Sequence, residues 1–131
     1  MRSLKPRSRP QTNCFEAWRN KSFAERATIV TKAAALMRAQ ADAFAKPVTL
    51  EKGKLIGESL GEVALSADIL DYYATNAERF LAPEKLTPGS GEAEIVSSPF
   101  GVLFGVQPWN FPYYQLAAIC RAISWRATSS W

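Results

Sequence analysis

Asn110 is the side chain best suited to polar chemistry in a long uncharged stretch, where it stands in Pro108-Trp109-Asn110-Phe111-Pro112 with a proline on either side. Its amide NH2 can donate to an oxygen on which negative charge develops, and losing one such donor commonly costs about 3 kcal/mol of transition-state stabilisation. Asparagine is also a favoured residue at the start of a helix. Residue type and spacing leave both roles open.

The neighbours of Asn110 say how such a loop would be held. Val102 to Val106 is apolar and uncharged, with Gly101 and Gly105 marking its ends. It is short for a helix and suits a strand covered on both faces, as in a parallel sheet. Pro108 cannot donate a ladder hydrogen bond, so regular pairing should stop there, and Pro112 suits the first turn of a following helix. The predicted unit is strand, tight loop, helix, and open α/β sheets bind ligands in the loop beyond the carboxyl end of the strand.

Two helical stripes precede it. Ser22-Phe23-Ala24-Glu25 has the spacing of a capping box and starts a helix. Phe23, Ala27, Val30, Ala34, Met37, Ala41 and Phe44 follow in alternating steps of four and three, with Arg26, Lys32, Arg38 and Asp42 off the stripe. Pro47 should interrupt this pattern, and Gly53 can close the element in a left-handed cap. A second stripe, Ile56, Leu60, Val63, Ala67, Leu70, Ala74, Ala77 and Leu81, leaves Glu58, Glu62 and Asp71 outside. Two long helices should therefore pack antiparallel over residues 22–81. Pro83, Pro88 and Gly89 read as a linker, and the alternation from Glu92 to Ser97 as a half-exposed strand.

Composition narrows the function classes. Arg2, Lys5, Arg7 and Arg9 account for the whole net charge of +4, so the remaining chain is balanced. A high isoelectric point therefore does not mark a nucleic-acid-binding face. The chain has two cysteines without metal-type spacing and no histidine, which excludes an ordinary zinc site and fits a reduced, cytoplasmic setting. Ser97 to Cys120 is free of charge, but Pro99, Pro108 and Pro112 and three side-chain amides argue against a transmembrane helix. Residues 1–13 read as a disordered basic tail, with Pro6 and Pro10 breaking any amphipathic pattern.

Pro99-Phe100-Gly101-Val102, followed by Pro108-Trp109-Asn110-Phe111-Pro112, resembles the aldehyde dehydrogenase superfamily. Further matches lie at Ser22 to Ala27, Thr49-Leu50-Glu51 with Gly53-Lys54, Gly61-Glu62-Val63, Tyr72-Tyr73-Ala74 and Phe80-Leu81, and together they look most like the succinate-semialdehyde dehydrogenase branch. The resemblance implies an α/β fold, here the incomplete N-terminal part. It comprises two long antiparallel helices, an oligomerisation-arm strand at 92–98, and the first strand and loop of a Rossmann-like cofactor domain, all within residues 14–117.

In that family a cysteine thiolate attacks the aldehyde, hydride passes to NAD or NADP, and a glutamate activates the water that hydrolyses the thioester. By resemblance, Asn110 is the oxyanion-hole side chain, while Val106, Gln107, Pro108 and Trp109 line the nicotinamide-ribose side of the cofactor cleft. Neither Cys14 nor Cys120 stands in the nucleophile's context, no glutamate matches the general base, and the glycine-rich cofactor loop is missing. The implied partners are an aldehyde substrate and further copies or a full-length relative. Two other readings are a non-catalytic helical module that binds such a relative and an unstable truncated product.

The resemblance holds to about Ala117 and then breaks. Permitted codons for Ala118 to Trp131, read two bases on, can spell Leu-Met-Ala-Gly-Asn-Val-Val, the continuation the family implies. Residues 118–131 are therefore expected to be an out-of-frame tail. Sequencing the coding DNA from codon 117 onward should show this continuation in a shifted frame, and its absence from the shifted frames would remove the reading.

Overall fold

The computed structural model describes residues 8–99, 101–103, 105–125 and 129–130. The helices are α1 (Ser8–Arg19), α2 (Phe23–Ala39), α3 (Ala41–Lys52), α4 (Ile56–Phe80) and α5 (Pro112–Trp125). Between α4 and α5 lie the short strands β1 (Glu84–Leu86), β2 (Ala93–Ile95) and β3 (Val102–Leu103), and β4 (Ser129–Ser130) follows α5. The disordered tail expected over residues 1–13 is helical from Ser8 onward, and residues 1–7 lie outside the described residues.

The capping box forms at the start of α2. The Ser22 N–H donates to Glu25 Oε2 at 2.7 Å and the Glu25 N–H donates to Ser22 Oγ at 3.2 Å, so two donors without helical partners are satisfied. These two bonds hold the Glu25 carboxyl below its ordinary pKa.

The long first helix predicted from the stripe is two helices, and the break falls at Gln40 instead of Pro47. The Gln40 N–H closes α2 on the Leu36 carbonyl at 3.0 Å, while the Gln40 carbonyl accepts the Phe44 N–H at 3.1 Å and opens α3. Pro47 sits inside α3 on an exposed face, where water can reach the carbonyl that its missing N–H leaves without a partner. At the far end Gly53 takes φ 69° and its N–H donates to the Thr49 carbonyl at 3.0 Å. This is a left-handed C-cap, which costs glycine nothing sterically.

Helix α4, with 25 residues, is the spine against which α2, α3 and α5 pack. Chain direction follows from its contacts. Val30 packs with Ala77, Arg38 pairs with Asp68 and Asp71, and Thr49 Oγ1 lies 3.1 Å from Ser59 Oγ. Later residues of the first pair of helices meet earlier residues of α4, so the packing is antiparallel.

The stripes face each other: Phe23, Ala27, Leu70, Tyr73, Ala74 and Leu81 surround the buried Val30 and Ala77. Ala34, Ala45, Val63 and Ala67 are fully buried, and such small side chains let helix axes come close. Two residues assigned to the outer faces are buried instead, Arg26 and Glu62. The Arg26 guanidinium lies 4.7 Å from the centre of the Phe23 ring, and burial lowers its pKa.

The expected linker contributes a strand. β1 and β2 form an antiparallel hairpin with Glu84 opposite Ile95, Lys85 opposite Glu94 and Leu86 opposite Ala93. The expected strand 92–98 is thus limited to Ala93–Ile95, and both hairpin strands are exposed.

The strand predicted over Val102 to Val106 is also shorter, ending at Leu103, and Phe104 lies outside the described residues. Val106 is 78% exposed. β3 pairs in parallel with β4, Val102 opposite Ser129 and Leu103 opposite Ser130. With α5 between them the two strands make a minimal βαβ unit. Gly105 follows, and a Cβ there would press on the terminal Cδ1 methyl of Ile119 in α5, so the loop runs close against that helix and a larger residue would need Ile119 to turn aside.

Replacing Val63, fully buried in the N-terminal third of α4, by Ala should cost about 2 kcal/mol of stability, read from chemical unfolding monitored by circular dichroism.

Candidate functional site

The loop from Gly105 to Phe111 joins β3 to α5, and its residues Val106, Gln107, Pro108, Trp109 and Asn110 are all exposed. Val106 and Trp109 are 78% and 74% exposed in this loop beyond the carboxyl end of β3.

Helix α5 starts as its residues demand. The Phe111 carbonyl accepts the Gln115 N–H at 2.9 Å, so Phe111 occupies the cap position and Pro112 the first helical position, where no N–H is needed. Asn110 is thus one residue too early to cap α5, and its side chain makes no hydrogen bond among the described residues. Of the two roles its spacing allowed, the helix-cap role is not the one the geometry realises.

The capping is done from 51 residues away. The N–H groups of Tyr113 and Tyr114 donate to Glu62 Oε1 at 2.9 and 3.3 Å. Lys54 Nζ donates to Glu62 Oε2 at 2.6 Å and stands 3.6 Å from the centre of the Phe111 ring. The Glu62 side chain is only 2% exposed and that of Lys54 13%. A carboxylate without water needs a partner for each oxygen, and here both have one, with the positive end of the α5 dipole facing the charge. Lys54, Glu58, Gly61, Glu62, Leu65 and Phe111 line a depression of about 270 Å³ beside this cluster.

Tyr113 continues the contact inward, its ring edge-on to Phe44 with centres 5.5 Å apart. Burial first, and then the charge of Glu62, push its phenol pKa up, so it stays neutral. Burial likewise pushes the Cys120 thiol up, away from the thiolate a nucleophile requires, and Cys14 is exposed on α1. Among the described residues no cluster of His, Cys, Asp or Glu could hold a metal, and no helix is long and apolar enough to cross a membrane.

Sequence reasoning placed Val106 to Asn110 in one loop and missed Glu62 and Lys54. The signal was present: Ser59, Glu62 and Ser66 lie three and four apart and share the buried face with Val63 and Ala67. Polar residue types made that stripe look like solvent.

The sequence pattern that defines the aldehyde dehydrogenase family matches residues 11–124. The chain belongs to the aldehyde dehydrogenase family. Over 102 residues, 78% of this chain, it is 44% identical to the succinate-semialdehyde dehydrogenase [NADP(+)] of Deinococcus radiodurans, of which the match spans 21%. A probable succinate-semialdehyde dehydrogenase [NADP(+)] from Synechocystis is 37% identical over the same share of the chain and 22% of its own length. The crystal structure of succinic semialdehyde dehydrogenase from Streptococcus pyogenes, in complex with NADP+, superposes with a TM-score of 0.86 at 34% identity, covering 92% of this chain and 27% of that one.

This chain therefore spans about a fifth of the length of these curated relatives. Its helices, hairpin and first strand–loop–helix unit are the N-terminal part of the aldehyde dehydrogenase fold. The family match runs past Ala117 to residue 124, and α5 continues to Trp125.

Because Asn110 caps nothing, Asn110→Ala should shift the stability of the chain by less than about 0.5 kcal/mol, measured by thermal unfolding.

Proposed function

We propose that residues 14–117 are the N-terminal part of the cofactor-binding domain of an NADP-dependent succinate-semialdehyde dehydrogenase, with Asn110 as its oxyanion donor. The observation that carries this reading is an exposed Asn110 whose side chain has no hydrogen-bond partner among the described residues, in a chain 44% identical to an enzyme of that name. NADP is preferred to NAD because the relatives with the most similar sequences carry NADP(+) in their names.

The chain's own residues have three tasks. Val106 and Trp109 give an apolar wall to the nicotinamide-ribose side of the cleft, and Gln107 and Pro108 bring backbone beside it. The Asn110 Nδ2 donates a hydrogen bond to the aldehyde oxygen as that oxygen gains negative charge, an interaction that strengthens only toward the transition state. When bound, the dinucleotide supplies the hydride acceptor.

Residues 1–131 by themselves do not oxidise aldehydes in this reading, since neither Cys14 nor Cys120 has the setting of a nucleophile. The hairpin exposes Leu86, Ile95 and Val96, which supports association with further copies or a full-length relative.

The test uses the gene with the family frame restored after codon 117. Asn110→Ala should slow single-turnover hydride transfer by about 100-fold while cofactor affinity stays nearly constant. An unaltered single-turnover rate would retire the donor role.

A further inference from the structure

Among the described residues little holds the loop that carries Asn110. Every side chain from Val106 to Phe111 is exposed. A hydrogen-bond donor that stabilises a transition state has to be held to within about 0.5 Å of its productive position, which an unanchored loop does not provide.

Two anchors sit immediately after Asn110, and both run through one carboxylate. Phe111, the next residue, lies under the ammonium of Lys54, with Nζ 3.6 Å from the ring centre. Tyr113 and Tyr114, three and four residues on, give their N–H groups to Glu62 Oε1, whose other oxygen holds the same ammonium at 2.6 Å. Glu62 itself is fixed, because it projects from the N-terminal third of α4 between the fully buried Ser59 and Ser66. The Ser66 hydroxyl donates to the Glu62 carbonyl at 2.7 Å.

From this arrangement we infer that Glu62 is a positioning residue: through α5 and through Lys54 and Phe111 it sets the direction in which Asn110 points. The inference rests on the reading of Asn110 as an oxyanion donor. The clasp itself can be tested without turnover, so a failure of that reading and a failure of the clasp are told apart. A merely structural Glu62 would support the whole helical layer evenly. A positioning Glu62 acts on residues 109–115 and leaves the core of α4 alone.

The experiment uses the full 131-residue chain labelled with 15N. Amide hydrogen exchange is read at Tyr113 and Tyr114, with Ala67 in the α4 core as internal reference, and the backbone order of Asn110 is read from relaxation. In Glu62→Ala, exchange at Tyr113 and Tyr114 should accelerate about 10-fold or more relative to Ala67, and Asn110 should lose order. Glu62→Gln keeps an oxygen that can accept both N–H groups, so it should restore most of the protection at Tyr113 and Tyr114.

Lys54→Met leaves the carboxylate in place and should loosen Asn110 while protection at Tyr113 and Tyr114 stays within about 3-fold. If Glu62→Ala does not fold, the Gln and Met variants decide the matter. Unchanged order at Asn110 in both, or acceleration at Ala67 equal to that at Tyr113, would overturn the assignment.

Discussion

A carboxylate removed from water is costly, by several kcal/mol unless its oxygens are met by donors. Glu62 meets that condition only when α5 begins where it does, with two backbone N–H groups on one oxygen and the Lys54 ammonium on the other. The charge and the helix start thus require each other. Three segments are joined at one point: the turn after α3, the N-terminal third of α4 and, about fifty residues further on, the head of α5.

Around that point the layer is built from small side chains. Ala34, Ala45, Ala67 and Ala117 are buried with Val63 at the centre, so the helices pack close and leave bulky residues for the margins. The break at Gln40 redirects the chain from α2 into α3, so that two short helices together pack along the long α4. Arg38 then reaches Asp68 and Asp71 across the α2 and α4 surfaces, an exposed pairing of little weight in stability beside the core.

What this frame presents outward matters for function. The loop Val106 to Asn110 and the hairpin of β1 and β2 project apolar groups that the described chain does not cover, among them Trp109, Val106, Leu86, Ile95 and Val96. Exposed apolar surface of this extent marks places where ligands or partners bind.

Local chemistry decided much of this before any folding. The capping box at Ser22, the left-handed cap at Gly53 and Pro112 at the first position of α5 each depend on residues a few positions apart, and each stands where its residues require. The facing stripes of α2 and α4, and the loop holding Asn110, were legible for the same reason. Pairing was not: β3 lies in parallel beside β4 with α5 between them in the chain, a partner that no local pattern names. Nor could residue type reveal the two buried charges, since Arg26 and Glu62 belong to classes that usually face water. Glu62 is buried because donors 8, 51 and 52 residues away converge on it, and only the packed tertiary structure brings them together.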